Sequence, residues 1–174
     1  KVMDRLRDLT DQVEQISIDE AFVDVSGLAK QPQQLGRMLQ QTILRELQLP
    51  NSVGIASNKL VAKTATDVGK LSTSGHSPPN AITVVPPGEE AAFLAPLPVE
   101  MLWGVGPKTR QRLTRLSITT IGELAQFPVL KLADMMGKQG YELSKRAQGI
   151  DHRPIVTERE AKSVSNERTF REDI

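Results

Sequence analysis

Two adjacent carboxylates, Asp19 and Glu20, stand in the middle of residues 15–27, QISIDEAFVDVSG. In one continuous strand their side chains would point to opposite faces, whereas at the tip of a tight hairpin they can share a ligand. Two such carboxylates repel each other when they are partly withdrawn from water, which favours binding of a divalent cation, Mg²⁺ before others. The alternative is a pair of solvated turn residues. The flanking β-branched and aromatic residues, which predict strand, reversal and strand, are Ile16, Ile18, Phe22, Val23 and Val25.

A second candidate site is the glycine pair in residues 102–116, LWGVGPKTRQRLTRL. Gly104 and Gly106 let the backbone reverse sharply and approach a phosphate, and Pro107 suits the first position of a helix whose positive end would face that phosphate. The pattern predicts a helix-hairpin-helix element, with a plain helix-helix turn as the alternative. The basic residues that follow are Lys108, Arg110, Arg112 and Arg115.

A weaker version of the same pattern lies in residues 135–151. Gly137 and Gly140 flank Lys138 ahead of another basic helical segment, so backbone amides could again be presented to phosphate.

The elements that must position these residues follow from periodicity. We predict a helix over residues 1–14 leading into the hairpin, an amphipathic helix over 32–48, a strand over 52–56, a helix beginning near Lys59 and capped by Ser57 or Asn58, and a strand over 81–85. From Gly88 the period becomes helical, which indicates a domain boundary. Predicted helices there cover 89–94, 98–102, 107–116, 121–126, 129–136 and 140–148, with a capping box at Thr120.

Composition excludes some classes of protein. The 174 residues are 39% apolar and 25% charged and contain no cysteine, which predicts a globular domain without disulfides, and no apolar run approaches the roughly 18 residues of a membrane span. We therefore expect a cytoplasmic protein. The net charge of +1 hides an uneven distribution, because residues 104–149 hold 8 Lys and Arg against 3 Asp and Glu. This basic part is a candidate surface for a polyanion, with a solvated helix face as the alternative.

The segment SIDEAFVDVSG resembles the second catalytic motif of the Y-family, or translesion, DNA polymerases. Three further stretches match the same family in the same order, at residues 52–70, 102–116 and 162–173. The resemblance implies an α+β fold: a partial ferredoxin-like palm over residues 1–88, with an antiparallel sheet and helices on one face, then an all-helical thumb over 89–157 that carries the helix-hairpin-helix. Residues 158–174 would be a linker and the start of the little finger.

The same resemblance implies template-directed transfer of a nucleotide from a dNTP to a primer 3′-hydroxyl, with two Mg²⁺ ions. Asp19 would bridge both ions, Glu20 would hold the one that activates the primer, and Lys70 would meet the triphosphate. An insertion at residues 71–77 departs from the family pattern and affects the placement of Lys70. Candidate residues for binding primer–template DNA are Gly104, Val105, Gly106, Lys108, Thr109, Gly137, Lys138 and Gly140.

The resemblance also implies that the chain is a fragment, because the family's palm begins with a strand carrying another metal-binding aspartate, followed by the fingers. The fragment alone is expected to have little or no polymerase activity, and a sliding clamp would contact the full-length protein through a region absent here. Two alternatives remain: a non-catalytic DNA-binding module that uses the helix-hairpin-helix, and a nucleotide-cyclase-like palm enzyme. The thumb hairpin argues against the second, since a cyclase needs no grip on a duplex.

Overall fold

The computed structural model describes residues 1–73 and 78–158, so residues 74–77 of the predicted insertion and the motif at 162–173 lie outside the described residues. The elements in chain order are α1 (Val2–Arg7), β1 (Val13–Gln15), β2 (Ala21–Val23), α2 (Pro32–Leu47), β3 (Val53–Ile55), α3 (Lys59–Thr73), β4 (Ile82–Val84), α4 (Glu90–Leu94), a 3₁₀ helix (Val99–Met101), α5 (Pro107–Thr114), α6 (Ile121–Gln126), α7 (Val129–Met136) and α8 (Lys138–Ala147).

The hairpin around the carboxylate pair forms as predicted. β1 and β2 pair antiparallel, with Val13 opposite Val23 and Gln15 opposite Ala21, and residues 16–20 make the reversal. The helix predicted over residues 1–14 was too long, because α1 ends at Arg7. Val13 has helical spacing from the apolar residues of α1, but its burial in the β1–β2 ladder outweighs that local preference.

The second pair of strands corrects one part of the predicted palm. β3 and β4 are parallel, with Val53 opposite Ile82 and Ile55 opposite Val84, whereas an antiparallel sheet was expected. The reason is the connection: α3 joins the two strands as a crossover helix, and a crossover returns the chain in the same direction. Among the described residues the strands form two two-stranded sheets. The α+β class and the helical segment that follows are confirmed.

α3 lies close to β3 because Gly54 has no side chain. A Cβ at that position would overlap the backbone carbonyl oxygen of Ala62, so only glycine lets the helix approach the strand this far. This contact places the lysines of α3 beside the hairpin.

The main apolar core joins α3 and Val85, the residue after β4, to the helices that follow them. Leu60 and Val61 of α3 are fully buried together with Leu94, Leu113 and Leu124 of the later helices. A smaller cluster packs α1, β1 and α2 through Leu6, Val13 and Ile43. Because one core cluster extends on both sides of residue 88, a division of the chain at that point stays a prediction.

The helices after residue 88 follow the predicted periodicity closely. α6 and α7 match the predicted bounds, α8 begins two residues earlier than predicted, and residues 99–101 form a 3₁₀ helix. The capping box is present at the start of α6: the Thr120 hydroxyl accepts the backbone N–H of Glu123, and the Glu123 carboxylate accepts the backbone N–H of Thr120.

Candidate active site and nucleic-acid interface

The tip of the β1–β2 hairpin carries the two carboxylates at different depths. Asp19 is exposed, and the Ser17 hydroxyl donates to its Oδ1 at 2.7 Å. That hydrogen bond lowers the pKa of Asp19, and the positive charges of Lys70 and Lys63 lower it further. Asp19 is therefore an ionised carboxylate that solvent can reach.

Glu20 points towards α3, where two lysines meet it. The Lys63 ammonium donates to Glu20 Oε1 at 2.9 Å, and the Lys70 ammonium lies 3.4 Å from the same oxygen. The hydrogen bond from Lys63 is the main cause of a lowered pKa for Glu20. Both lysines reach one oxygen because they are seven residues apart on α3, two turns along one face. The structure places Lys70 beside Glu20, and its contact with a triphosphate stays a prediction. Lys63 is a contact that the sequence did not single out for a role.

Asp67 completes this group and lies one helical turn after Lys63 on α3. Its two carboxylate oxygens accept hydrogen bonds from the Lys63 ammonium at 3.0 and 3.1 Å. Burial lowers the pKa of Lys63, but hydrogen bonds from its ammonium to Glu20 and Asp67 outweigh burial and raise it overall. Lys63 is therefore a stable cation held between two carboxylates.

The donor set partly fits a divalent cation. Asp19 and Glu20 are adjacent, ionised and oxygen-bearing, as Mg²⁺ prefers. Within residues 1–73 and 78–158, however, no group of three or more histidine, cysteine or acidic side chains is arranged to hold a metal ion. The two carboxylates can supply part of a metal coordination shell, and other ligands must complete it.

A cleft of about 500 Å³ opens beside the pair. Asp19, Glu20, Lys63 and Lys70 line one part of it, and mainly apolar residues of α1, β2, α2 and β3 line much of the rest. The carboxylates and lysines therefore face a shared space.

Behind the hairpin lies a buried ion pair that sequence reasoning missed. Glu14 of β1 is 1% exposed and Lys59 of α3 is 8% exposed, and their charged groups are 2.6 Å apart. The Lys59 ammonium also donates to the carbonyl oxygen of Pro154, and the backbone N–H of Val156 donates to Glu14. This pair ties the chain after α8 to the strand that leads into the carboxylate turn.

The same segment carries a second link, through Asp151 and Arg153. Asp151 accepts the backbone N–H of Leu60 in the first turn of α3, and Arg153 binds Asp151 through two hydrogen bonds of 2.7 and 2.8 Å. The Arg153 guanidinium stacks over Trp103, which in turn contacts Phe22 of β2 at 5.6 Å between ring centroids. The sequence assigned no role to Arg153. The only nearby signal is Asp151, two residues earlier, and nothing in the local sequence shows that Asp151 will bind the start of α3.

The predicted glycine hairpins lie next to each other. Gly104 has a φ of +103° and Gly137 a φ of +62°, values that favour glycine. Gln139 donates to the Thr109 hydroxyl at 3.4 Å, and Arg112 donates to the carbonyl of Met135 at 2.9 Å, so α5 and the α7–α8 turn are in contact. Val105 is buried as a core anchor, and Gly140 is buried where α8 crosses α7. The residues left exposed at this surface include Gly104, Gly106, Lys108, Gly137 and Lys138.

Gly106 is the N-cap of α5 and Pro107 its first residue, as predicted. Gly106, Pro107 and Lys108 are all exposed, so the first turn of α5 and the positive end of its dipole lie at the surface, a position that can accept an anion.

The described residues thus place an acidic hairpin opposite a lysine-bearing helix, and helices with two glycine hairpins follow it in the chain. Residues 1–67 match the profile of the impB/mucB/samB family, and residues 87–118 match the IMS family HHH motif. The chain belongs to this family, the Y-family of DNA polymerases. Polymerases of this class are nucleotidyltransferases that generally use divalent metal ions.

Similar proteins are named as DNA polymerases. The DNA polymerase IV of Dehalococcoides mccartyi is 40% identical over 176 residues, covering 99% of this chain and 43% of that protein. The DNA polymerase IV of Streptomyces coelicolor is 41% identical over 180 residues, covering 100% of this chain and 36% of that protein. The chain thus spans less than half the length of these relatives.

Solved structures agree with this family. DinB from Sulfolobus solfataricus superposes with a TM-score of 0.74 at 30% identity, over 88% of this chain and 44% of that chain. An insertion ternary complex of Dbh DNA polymerase gives a TM-score of 0.75 at 30% identity, again over 88% of this chain and 44% of the other. No helix in the described parts of this chain is long and apolar enough to cross a membrane.

Proposed function

We propose that this chain provides part of the palm and the thumb of a translesion DNA polymerase, which transfers a nucleotide from a dNTP to a primer 3′-hydroxyl on a DNA template. The carrying observation is that Asp19 and Glu20 share a hairpin tip opposite Lys63 and Lys70. The chain that carries this arrangement is also 40% identical to a DNA polymerase IV over 99% of its own length. Such a protein would act in DNA damage tolerance in the cytoplasm.

Asp19 and Glu20 are the residues of this chain that would hold the Mg²⁺ ions, two in number as in the family it resembles. Bound ions supply positive charge for the attacking and leaving oxygens of the displacement. Lys70 would place its ammonium against the triphosphate, where it offsets the negative charge that develops on the leaving group. Its position 3.4 Å from Glu20 supports this role, because it brings the cation to the edge of the acidic pair.

The two glycine hairpins would hold the primer–template backbone without reading its sequence. Their exposed amides and the flanking Lys108 and Lys138 offer hydrogen-bond donors and charge to phosphates, which fix position and not base identity. A sliding clamp would bind the full-length protein through segments other than those described.

Primer extension tests the proposal. The chain replaces the matching 176 residues of the Dehalococcoides mccartyi relative, and extension with Mg²⁺ is measured alongside duplex binding. Asp19→Ala and Glu20→Ala are each expected to lower extension by at least a hundredfold while duplex binding persists. Asp134→Ala, which removes an exposed carboxylate of α7, serves as the matched control and should extend normally.

Each result has a clear meaning. Extension that survives both hairpin variants would refute the metal-binding role of the pair. Salt-sensitive duplex binding without extension by the parent chimera would favour the DNA-binding module. The isolated 174-residue chain should show little or no extension, because its described residues bring only two carboxylates together at the hairpin.

A further inference from the structure

Lys63 has a place in the site that differs from that of Lys70. Its ammonium contacts three carboxylate oxygens, one from Glu20 at 2.9 Å and two from Asp67 at 3.0 and 3.1 Å. An ammonium has three N–H donors, so these three contacts match its full donor capacity. The Lys63 side chain is 19% exposed and therefore sits inside the rim of the cleft.

The two acceptors belong to different parts of the fold. Glu20 lies in the turn of the β1–β2 hairpin, whereas Asp67 lies one helical turn after Lys63 on α3. An i,i+4 pair on one helix keeps its geometry whatever the hairpin does. Lys63 can thus lose its contact with Glu20 and still keep a charged partner.

Glu20 Oε1 is the atom where two cations would meet. An oxygen that accepts a hydrogen bond from an ammonium at 2.9 Å cannot also bind a metal ion in the same direction, and two positive charges that close repel each other. We infer that the Lys63 ammonium competes with a divalent cation for the Glu20 carboxylate, and that Asp67 is the second acceptor that holds Lys63 when the cation binds. Lys63 is thus a positioning residue, and this inference rests on the proposed metal-binding role of Asp19 and Glu20.

The competition should make the metal affinity of the hairpin depend on whether other ligands are present. A cation that binds only Glu20 must displace Lys63, so its net gain is small; a cation that arrives with further negative ligands gains more. We therefore expect Lys63 to keep the metal affinity of the hairpin low until a triphosphate is present.

Binding of Mn²⁺ to the 174-residue chain, followed by the electron paramagnetic resonance signal of the free ion, measures the effect. Lys63→Met is expected to tighten binding by roughly fivefold to tenfold, the size expected when one charge is removed several ångströms from a divalent ion in water. Asp67→Asn is expected to weaken binding severalfold, because Lys63 then has Glu20 as its remaining carboxylate. Lys131→Met, which removes an exposed lysine of α7, is the control and should change affinity by less than about twofold.

A double-variant comparison separates competition from simple charge. If Asp67 acts by holding Lys63, Asp67→Asn has almost no effect on Mn²⁺ affinity in the Lys63→Met background. If Asp67 attracts the ion directly, it weakens binding equally in both backgrounds, and the inference is overturned. Unchanged or weaker binding in Lys63→Met also overturns it.

A second measurement follows Lys63 itself in the unaltered chain, with Glu20→Gln as the comparison. The ¹⁵Nζ resonance of Lys63 is followed during titration with Mg²⁺ and is expected to shift as its contact with Glu20 is lost. In Glu20→Gln the shift should disappear. If Glu20→Gln leaves Mn²⁺ affinity unchanged, the proposed metal pair itself is wrong; if it weakens affinity but the Lys63 resonance stays still, only the competition is wrong.

Discussion

Lys59→Met should lower the free energy of unfolding far more than the substitution of an exposed helical lysine would. Lys59 is 8% exposed, and its ammonium lies 2.6 Å from the carboxylate of Glu14 and 2.7 Å from the carbonyl oxygen of Pro154. The substitution keeps most of the apolar stem and removes the charge. It therefore tests the ion pair with little change in packing.

The expected loss follows from burial. Removing one partner of a buried ion pair leaves the other charge inside the protein without its counter-ion, which costs about 3–5 kcal/mol. A protein of this size is stabilised by roughly 5–15 kcal/mol in total, so this loss is a large share. The same substitution four residues along the helix, Lys63→Met, removes a partly exposed contact and should cost only about 0–1 kcal/mol.

Urea unfolding at neutral pH, followed by circular dichroism, measures both losses. The double substitution of Glu14→Met with Lys59→Met should recover much of the stability, because two apolar side chains of similar size replace both charges. A loss below about 1 kcal/mol for Lys59→Met, or one equal to that of Lys63→Met, would refute the reasoning. So would a double variant as unstable as Lys59→Met alone.

Three further predictions concern stability, each measured by urea unfolding. Thr120→Ala should lower the free energy of unfolding by about 1 kcal/mol because it removes the capping hydroxyl of α6, and a loss near zero would contradict this. Gly140→Ala should lower the free energy of unfolding by more than about 1 kcal/mol, because its Cβ would overlap a carbonyl of α7. A Cβ at the control position, Gly106→Ala, meets nothing within 4 Å, so equal losses for the two variants would contradict this. Burial raises the pKa of Asp151, but hydrogen bonds from Arg153 outweigh it and hold the pKa below the ordinary value of an aspartate. The stability that this carboxylate contributes is present above about pH 4 and is lost as the pH falls through the folded-state pKa. Asp151→Asn should therefore be less stable at pH 7 and lose less stability on acidification. A variant whose stability falls with pH as the parent's does would refute this.

Local patterns predicted the elements whose cause is local. The amphipathic spacing of α2, the capping box of α6 and the glycine and proline at the start of α5 each act within one or two helical turns, so they could be read from neighbouring residues. The carboxylate turn was predicted for the same reason, because the β-branched and aromatic residues on either side of Asp19 and Glu20 favour two strands joined by a reversal.

The parts that sequence reasoning missed depend on residues far apart in the chain. Glu14 and Lys59 are 45 positions apart, and nothing near either residue shows that it will be buried against the other. The parallel pairing of β3 and β4 is likewise set by where α3 returns the chain. The stacking of Arg153 over Trp103 likewise depends on the segment after α8, which returns to the start of α3 where Asp151 accepts the backbone N–H of Leu60.

The bond between the Val156 amide and Glu14 also bears on how the chain folds. It joins residues 142 positions apart, so forming it closes a loop that includes most of the chain. Closing a long loop costs chain entropy before any contact repays it, and such contacts tend to form after the folding transition state. Substitutions that weaken this closure should then speed unfolding and leave the folding rate almost unchanged. We therefore expect the segment after α8 to affect the lifetime of the native state more than its rate of formation.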